Sequence, residues 1–178
     1  MSLAFLSPSR CADGATTSPL RRALEGADPE RVRDLSLEGI VEIRGDVAGV
    51  KAEAGEELVR LSPRRAFLFT NGDAAEAADR IRAAGARAYD ATGAYAGLAI
   101  ADERVLRRLT DLDLARIPTA GPFAHVSALF RRGADGWTNV YVHQELGHYV
   151  AEAVLDATAG LDVATTDAPQ PVSDTSQR

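Results

Sequence analysis

Two stretches of this chain read in the same order, and that order constrains the fold more than any single motif. Asp34-Leu35-Ser36 precedes one strand pattern, and Asp90-Ala91-Thr92 precedes another 56 residues later. Each is followed by a strand, a short helix or loop, two more strands and a long helix. A βαββα unit of that kind covers only one face of its sheet. Two such units can bury their bare faces together and share one core. The spacing predicts an α+β fold with two similar halves, about 34–85 and 86–160, packed into one domain. Sequence identity between the halves is thin. The plain alternative is that the same order arises twice without duplication.

The individual elements follow from local pattern. Ser18-Pro19 before Leu20 and Leu24 reads as a short capped helix that Gly26 stops. Leu37 to Arg44 reads as a strand, as do Glu57 to Leu61 and Ala66 to Thr70, with a turn at Ser62-Pro63-Arg64. Asp73 with Glu76 resembles a capping box opening an Ala-rich helix that Gly85 ends. In the second half, Ala96 to Ala101 reads as a strand, and Asp102 caps a helix carrying Val105, Leu106 and Leu109. Pro118 to Pro122 reads as a loop. Phe123 to Arg131 reads as one long strand, turning at Gly133-Ala134-Asp135-Gly136 into Trp137 to His143. A last helix spans about Glu145 to Thr158 and buries Leu146, Tyr149, Val150, Ala153 and Val154. Residues 1–17 and 161–178 are rich in Ser, Thr, Pro and Asp, and are expected to form a flexible segment and a disordered tail around a folded 18–160.

Composition narrows the function classes. With 178 residues and 46% apolar content, the chain can bury a core without metal or disulfide support. The single cysteine, Cys11, excludes an intrachain disulfide and a Cys-based zinc site. A net charge of −6 argues against a nucleic-acid partner. No apolar run approaches the ~20 residues of a membrane span, and no basic leader opens the chain, so cytoplasm is the expected compartment.

Chemistry-bearing motifs are sparse. Neither Gly-x-Gly-x-x-Gly nor a P-loop occurs, nor a Gly-x-Ser-x-Gly elbow. His143 and His148 lie five apart across a strand–helix junction, which is not the i,i+4 pair of a helical zinc site. His125 alternates with Phe123, Ser127 and Leu129 and reads as a sheet histidine. Asp111 and Asp113 are a carboxylate pair with acid–base potential, but loop punctuation explains them better. No residue is therefore assigned a catalytic, cofactor-binding or metal role. The candidates that remain are for an interface. Arg64-Arg65 and Arg131-Arg132 sit at hairpin turns, where they could hold an anion or a partner's acidic patch, or simply be solvated. Trp137 and Tyr141 alternate on one strand face that is either core or interface.

Taken in order, several of these segments resemble one family. They are Ser18-Pro19-Leu20; Asp34-Leu35-Ser36 before Gly39 and a strand ending Arg44-Gly45; Leu61-Ser62-Pro63-Arg64-Arg65-Ala66-Phe67-Leu68; Asp90-Ala91-Thr92; Leu106 with Leu109-Thr110 and Leu112-Asp113-Leu114; and the hairpin entering the last helix. From about Ser18 to Ala157 the chain resembles the gamma subunits of heterotetrameric sarcosine oxidases, whose broader relatives are the glycine-cleavage T-protein and its folate-binding kin. The Asn-rich, Asp-bearing folate segments of the transferase relatives are absent. The resemblance implies a T-protein-like fold and a small subunit without a cofactor of its own. Larger alpha- and beta-type subunits would then hold FAD, FMN, NAD and tetrahydrofolate and would oxidatively demethylate sarcosine. A folate-binding one-carbon-transfer module is the alternative it implies.

Overall fold

The computed structural model describes residues 17–166. Cys11, most of the N-terminal segment and residues 167–178 lie outside that range. Among the described residues the chain forms nine strands and three α-helices. The strands are β1 (Val32–Asp34), β2 (Gly39–Arg44), β3 (Glu56–Ser62), β4 (Arg65–Thr70), β5 (Arg87–Asp90), β6 (Tyr95–Ile100), β7 (Thr119–Phe123), β8 (Val126–Arg132) and β9 (Thr138–His143). The helices are α1 (Ala74–Ala83), α2 (Glu103–Leu109) and α3 (Gly147–Thr166).

Two antiparallel sheets result, one ordered β3-β4-β2-β5 and the other β1-β6-β9-β8-β7. Strand alternation builds four layers from them. On β4, Ala66 and Leu68 face α1, while Phe67 and Phe69 face the second sheet. On β6, Ala96, Leu98 and Ile100 face α2 and α3, while Tyr95 joins the layer between the sheets. The mixed α and β chain is therefore a helix–sheet–sheet–helix sandwich with three apolar layers. Strand order is equivalent in the two sheets: β3-β4-β2 is followed by β5, and β8-β9-β6 by β1. In each sheet the last of these strands is contributed by the other part of the chain, and β7 is an extra edge.

Local chemistry explains most elements. Asp73 caps α1 by accepting hydrogen bonds from Ala75 N at 2.7 Å and Glu76 N at 3.2 Å, and Asp102 caps α2 through Arg104 N. Ser18 accepts from Leu20 N, but residues 19–26 form successive turns rather than a helix. Leu20 is nonetheless fully buried.

Other expectations are corrected. Residues 119–123 form strand β7, not a loop; Gly121 and Pro122 are tolerated because β7 is an edge. The single long strand from Phe123 is broken by a two-residue turn at Ala124 and His125, both at positive φ. His125 is thus an exposed turn residue and not a sheet histidine. The last helix is longer and rotated relative to the expectation. Val150, Ala151, Val154, Ala157 and Leu161 form its buried stripe, whereas Tyr149 is exposed. Gly147 sets this rotation. A Cβ there would lie 2.6 Å from the Ala96 Cβ, so only the bare backbone fits against β6. The expected tail from residue 161 begins inside the fold: Leu161 packs in the core, and Asp162 accepts from Arg31 at 2.6 Å. That hydrogen bond from Arg31 holds the Asp162 carboxyl below the usual range.

Candidate interaction surface

Three of the candidate arginines and Tyr141 have their places set by strand parity. Arg131 and Arg132 are neighbours on β8 and point to opposite faces. Arg131 turns inward, between the sheets, and is buried. Its guanidinium donates to Glu57 Oε2 at 2.5 Å, to Glu38, and to the Tyr141 hydroxyl at 2.9 and 3.1 Å. The Tyr141 hydroxyl in turn donates to Glu38. Arg131 also lies 4.5 Å from the centre of the Phe69 ring, a cation–π contact across the two sheets. The Tyr141 ring meets Phe69 at 4.8 Å and rests on Gly97, where a Cβ would come within 2.8 Å of it.

This is a closed ionic network. Burial works against the Arg131 charge, but the Tyr141 phenol and Glu38 carboxylate outweigh it and keep the guanidinium protonated. Burial, and then Glu38, push the Tyr141 phenol well above its usual range. Among the described residues no buried side-chain nitrogen or oxygen lacks a hydrogen-bond partner. Of the interface candidates, Arg131 and Tyr141 thus sit inside the sandwich, with their polar groups engaged within the chain. Glu38 and Glu57, which complete the network, escaped the sequence reading. Glu38 is 93 residues from Arg131 along the chain, and no local pattern pairs them.

The other candidates are on the outside. Arg132 lies on the helical side of its sheet, donating to Thr138 Oγ1 at 2.7 Å. Trp137 is half-buried at the β8–β9 hairpin, with the Arg33 guanidinium 3.9 Å above its ring. Arg64 is exposed in the β3–β4 turn. Arg65 starts β4, donates to Glu42 at 2.9 Å and lies 5.1 Å from the Phe67 ring. The six candidates thus do not form one patch.

Two concavities are open to solvent, and several of their polar groups are already engaged. One, of about 350 Å³, lies beside Glu38, Thr70, Asp90 and Thr92. There Thr92 Oγ1 accepts from Ile40 N, Asp90 from Thr92 N, and Thr70 Oγ1 from Gly72 N. The second, of about 290 Å³, lies among Arg108, Thr110, Asp111, His125 and Tyr149. Arg108 there donates to the Ala157 carbonyl and Thr110 to the Pro122 carbonyl. Asp113 caps the turn at 114–116, accepting from Ala115 N at 3.1 Å. Among the described residues no group of three metal-ligating side chains converges, and no helix is long and apolar enough to cross a membrane.

Fold and site together define a class of protein: an α+β sandwich of two antiparallel sheets whose polar interior is satisfied from within and whose unspent side chains lie on its surface. A solved structure shares this fold. It is a chain of the heterotetrameric sarcosine oxidase from Corynebacterium sp. U-96 in complex with pyrrole 2-carboxylate, matched with a TM-score of 0.70 over 88% of this chain and 98% of that one, at 12% identity. No family model and no curated protein matches the sequence.

Proposed function

We propose that this chain is a small, non-catalytic subunit of gamma type in a multi-subunit sarcosine, or N-methyl amino acid, oxidase. The observation that carries the reading is the structural match, which takes in almost the whole of a small chain from a heterotetrameric oxidase. The equivalent strand order of the two sheets supports the finer description of two βαββα halves in a T-protein-like arrangement, each lending one strand to the other. Larger alpha- and beta-type subunits are the partners, and FAD, FMN, NAD and tetrahydrofolate belong to them. In this chain the Arg131–Tyr141–Glu38 network consumes its own donors and acceptors, which suits a rigid scaffold better than a reacting centre. A catalytic arginine or tyrosine needs a free face toward substrate, and neither has one here.

The test is omission. The larger subunits are produced with and without this chain, and assembly and sarcosine oxidation are measured. Loss of the assembled, active enzyme without it, restored by adding the full chain, is the expected result. Equal assembly and turnover in its absence would overturn the proposal.

A further inference from the structure

The antiparallel register of three neighbouring strands places Arg65, Arg44 and Arg87 side by side. Arg44 pairs with Arg65 across β2–β4 and with Arg87 across β2–β5. The Arg87 guanidinium lies over the backbone of Gly45, where a Cβ would be 3.9 Å from its Nε and Nη2. All three side chains belong to the face of the first sheet that packs on the second. The second sheet covers that face over Ile40, Phe67 and Phe69 and leaves the arginine row in solvent. The Arg44 and Arg65 side chains are 51% and 39% exposed, and Arg87 is exposed.

Like charges directly opposite each other on neighbouring strands destabilise a sheet. One carboxylate, Glu42, serves the row, bonding both Arg44 and Arg65. Arg87 has no side-chain partner among the described residues. Beside it on β5, Tyr89 is a large aromatic left 53% exposed. Glu42 and the Phe67 ring hold Arg65, and Glu42 holds Arg44, but no side-chain contact among the described residues holds Arg87 at the same register. Arginine forks match carboxylates two bonds at a time and stack on aromatics.

We propose that the Arg65–Arg44–Arg87 row, with Tyr89 beside it, is the docking face of this subunit, and that its occupant is a carboxylate-bearing surface of a larger subunit. A protein carboxylate is favoured over a polyanion because the chain as a whole carries −6. That excess repels an extended phosphate backbone, whereas a single acidic cluster feels mainly the charges within a Debye length of about 8 Å. The inference rests on the subunit reading above.

Lys51 is the sole lysine of the chain, which makes a direct test possible. Arg87→Lys introduces an amine that a zero-length carbodiimide joins to a neighbouring carboxylate. The full chain and this variant are co-produced with the larger oxidase subunits of the same genome, cross-linked and mapped by mass spectrometry. The expected product joins Lys at position 87 to an Asp or Glu of a larger subunit. In parallel, Arg87→Glu is expected to weaken assembly at least tenfold at physiological salt, whereas Arg22→Glu, at an exposed turn, leaves it unchanged. Circular dichroism confirms that each variant is folded. If the unmodified chain assembles but position 87 links only within its own chain and Arg87→Glu assembles fully, the docking face is wrong and the subunit reading stands. If the unmodified chain does not assemble, both fall. Retention of a labelled single-stranded oligonucleotide that depends on Arg87 would overturn the choice of occupant.

Discussion

Replacing Arg131 with methionine is expected to destabilise the fold by an amount the geometry allows to be apportioned. The Arg131 side chain is 8% exposed, that of Glu38 17% and that of Glu57 44%. Glu57 is wet enough that losing its ion pair costs at most about 1 kcal/mol. Glu38 is the expensive partner. Without Arg131 its side chain keeps the Tyr141 hydroxyl, at the margin between an apolar layer and a solvent-open concavity. Breaking a buried pair by removing one member typically costs about 3–5 kcal/mol. That is a large share of a total stability on the order of 5–15 kcal/mol, and at roughly 2–4 °C per kcal/mol it lowers Tm by about 10 °C. The assay is urea unfolding followed by circular dichroism, with the midpoint falling at unchanged slope. Arg131→Met combined with Glu38→Gln is expected to recover much of the loss, because the stranded charge is gone. A single variant that loses less than about 1 kcal/mol, or a double variant no more stable than the single, would refute the claim that Arg131 exists to hold Glu38 between the sheets.

Three further outcomes are expected. Gly97→Ala puts a Cβ 2.8 Å from the Tyr141 ring and 3.1 Å from the Leu35 carbonyl carbon, and should cost about 1–3 kcal/mol by overpacking in thermal unfolding. His125→Gly removes a side chain from a backbone at φ +66°; Tm should rise by about 1–2 °C, since a left-handed penalty of about 1–2 kcal/mol exceeds the roughly 0.5–1 kcal/mol of entropy that glycine adds. The third concerns alkaline pH. Burial raises the phenols of Tyr95 and Tyr141 in the folded state. Above the ordinary phenol value of about 10 the unfolded chain releases protons that the folded chain retains, so stability falls as pH rises. Ultraviolet titration should show part of the phenolate absorbance appearing only as the protein unfolds.

How far the sequence reveals this fold depends on which force shapes each element. Strands β2, β3, β4, β6 and β9 and helices α1 and α2 carry their own apolar period and caps, and are legible within a residue or two. Strands β1 and β5 are too short for a period: Val32 and Ala88 are their sole core residues. The β7–β8 turn lacks an Asn-Gly signal, because Ala124 and His125 are held at positive φ by the pairing of Phe123 with Val126. The face of α3 is set by the contact of Gly147 with Ala96 and Leu20, which no helical period contains. The site was less legible than the fold. Arg131 and Arg132 look alike as a dipeptide, yet strand parity sends one into the interior and one to the surface. The row of Arg65, Arg44 and Arg87 exists only once three strands are in register.

The central proposal is that this chain acts as part of a larger oxidase and holds no cofactor of its own. Native mass spectrometry of the full chain co-produced with the larger subunits tests it most directly. The account predicts this chain within an assembly that contains the larger subunits, and a mass for the chain released on its own that equals the polypeptide alone. A chain that stays monomeric beside the larger subunits, or one that is released with a bound flavin or folate, would contradict it.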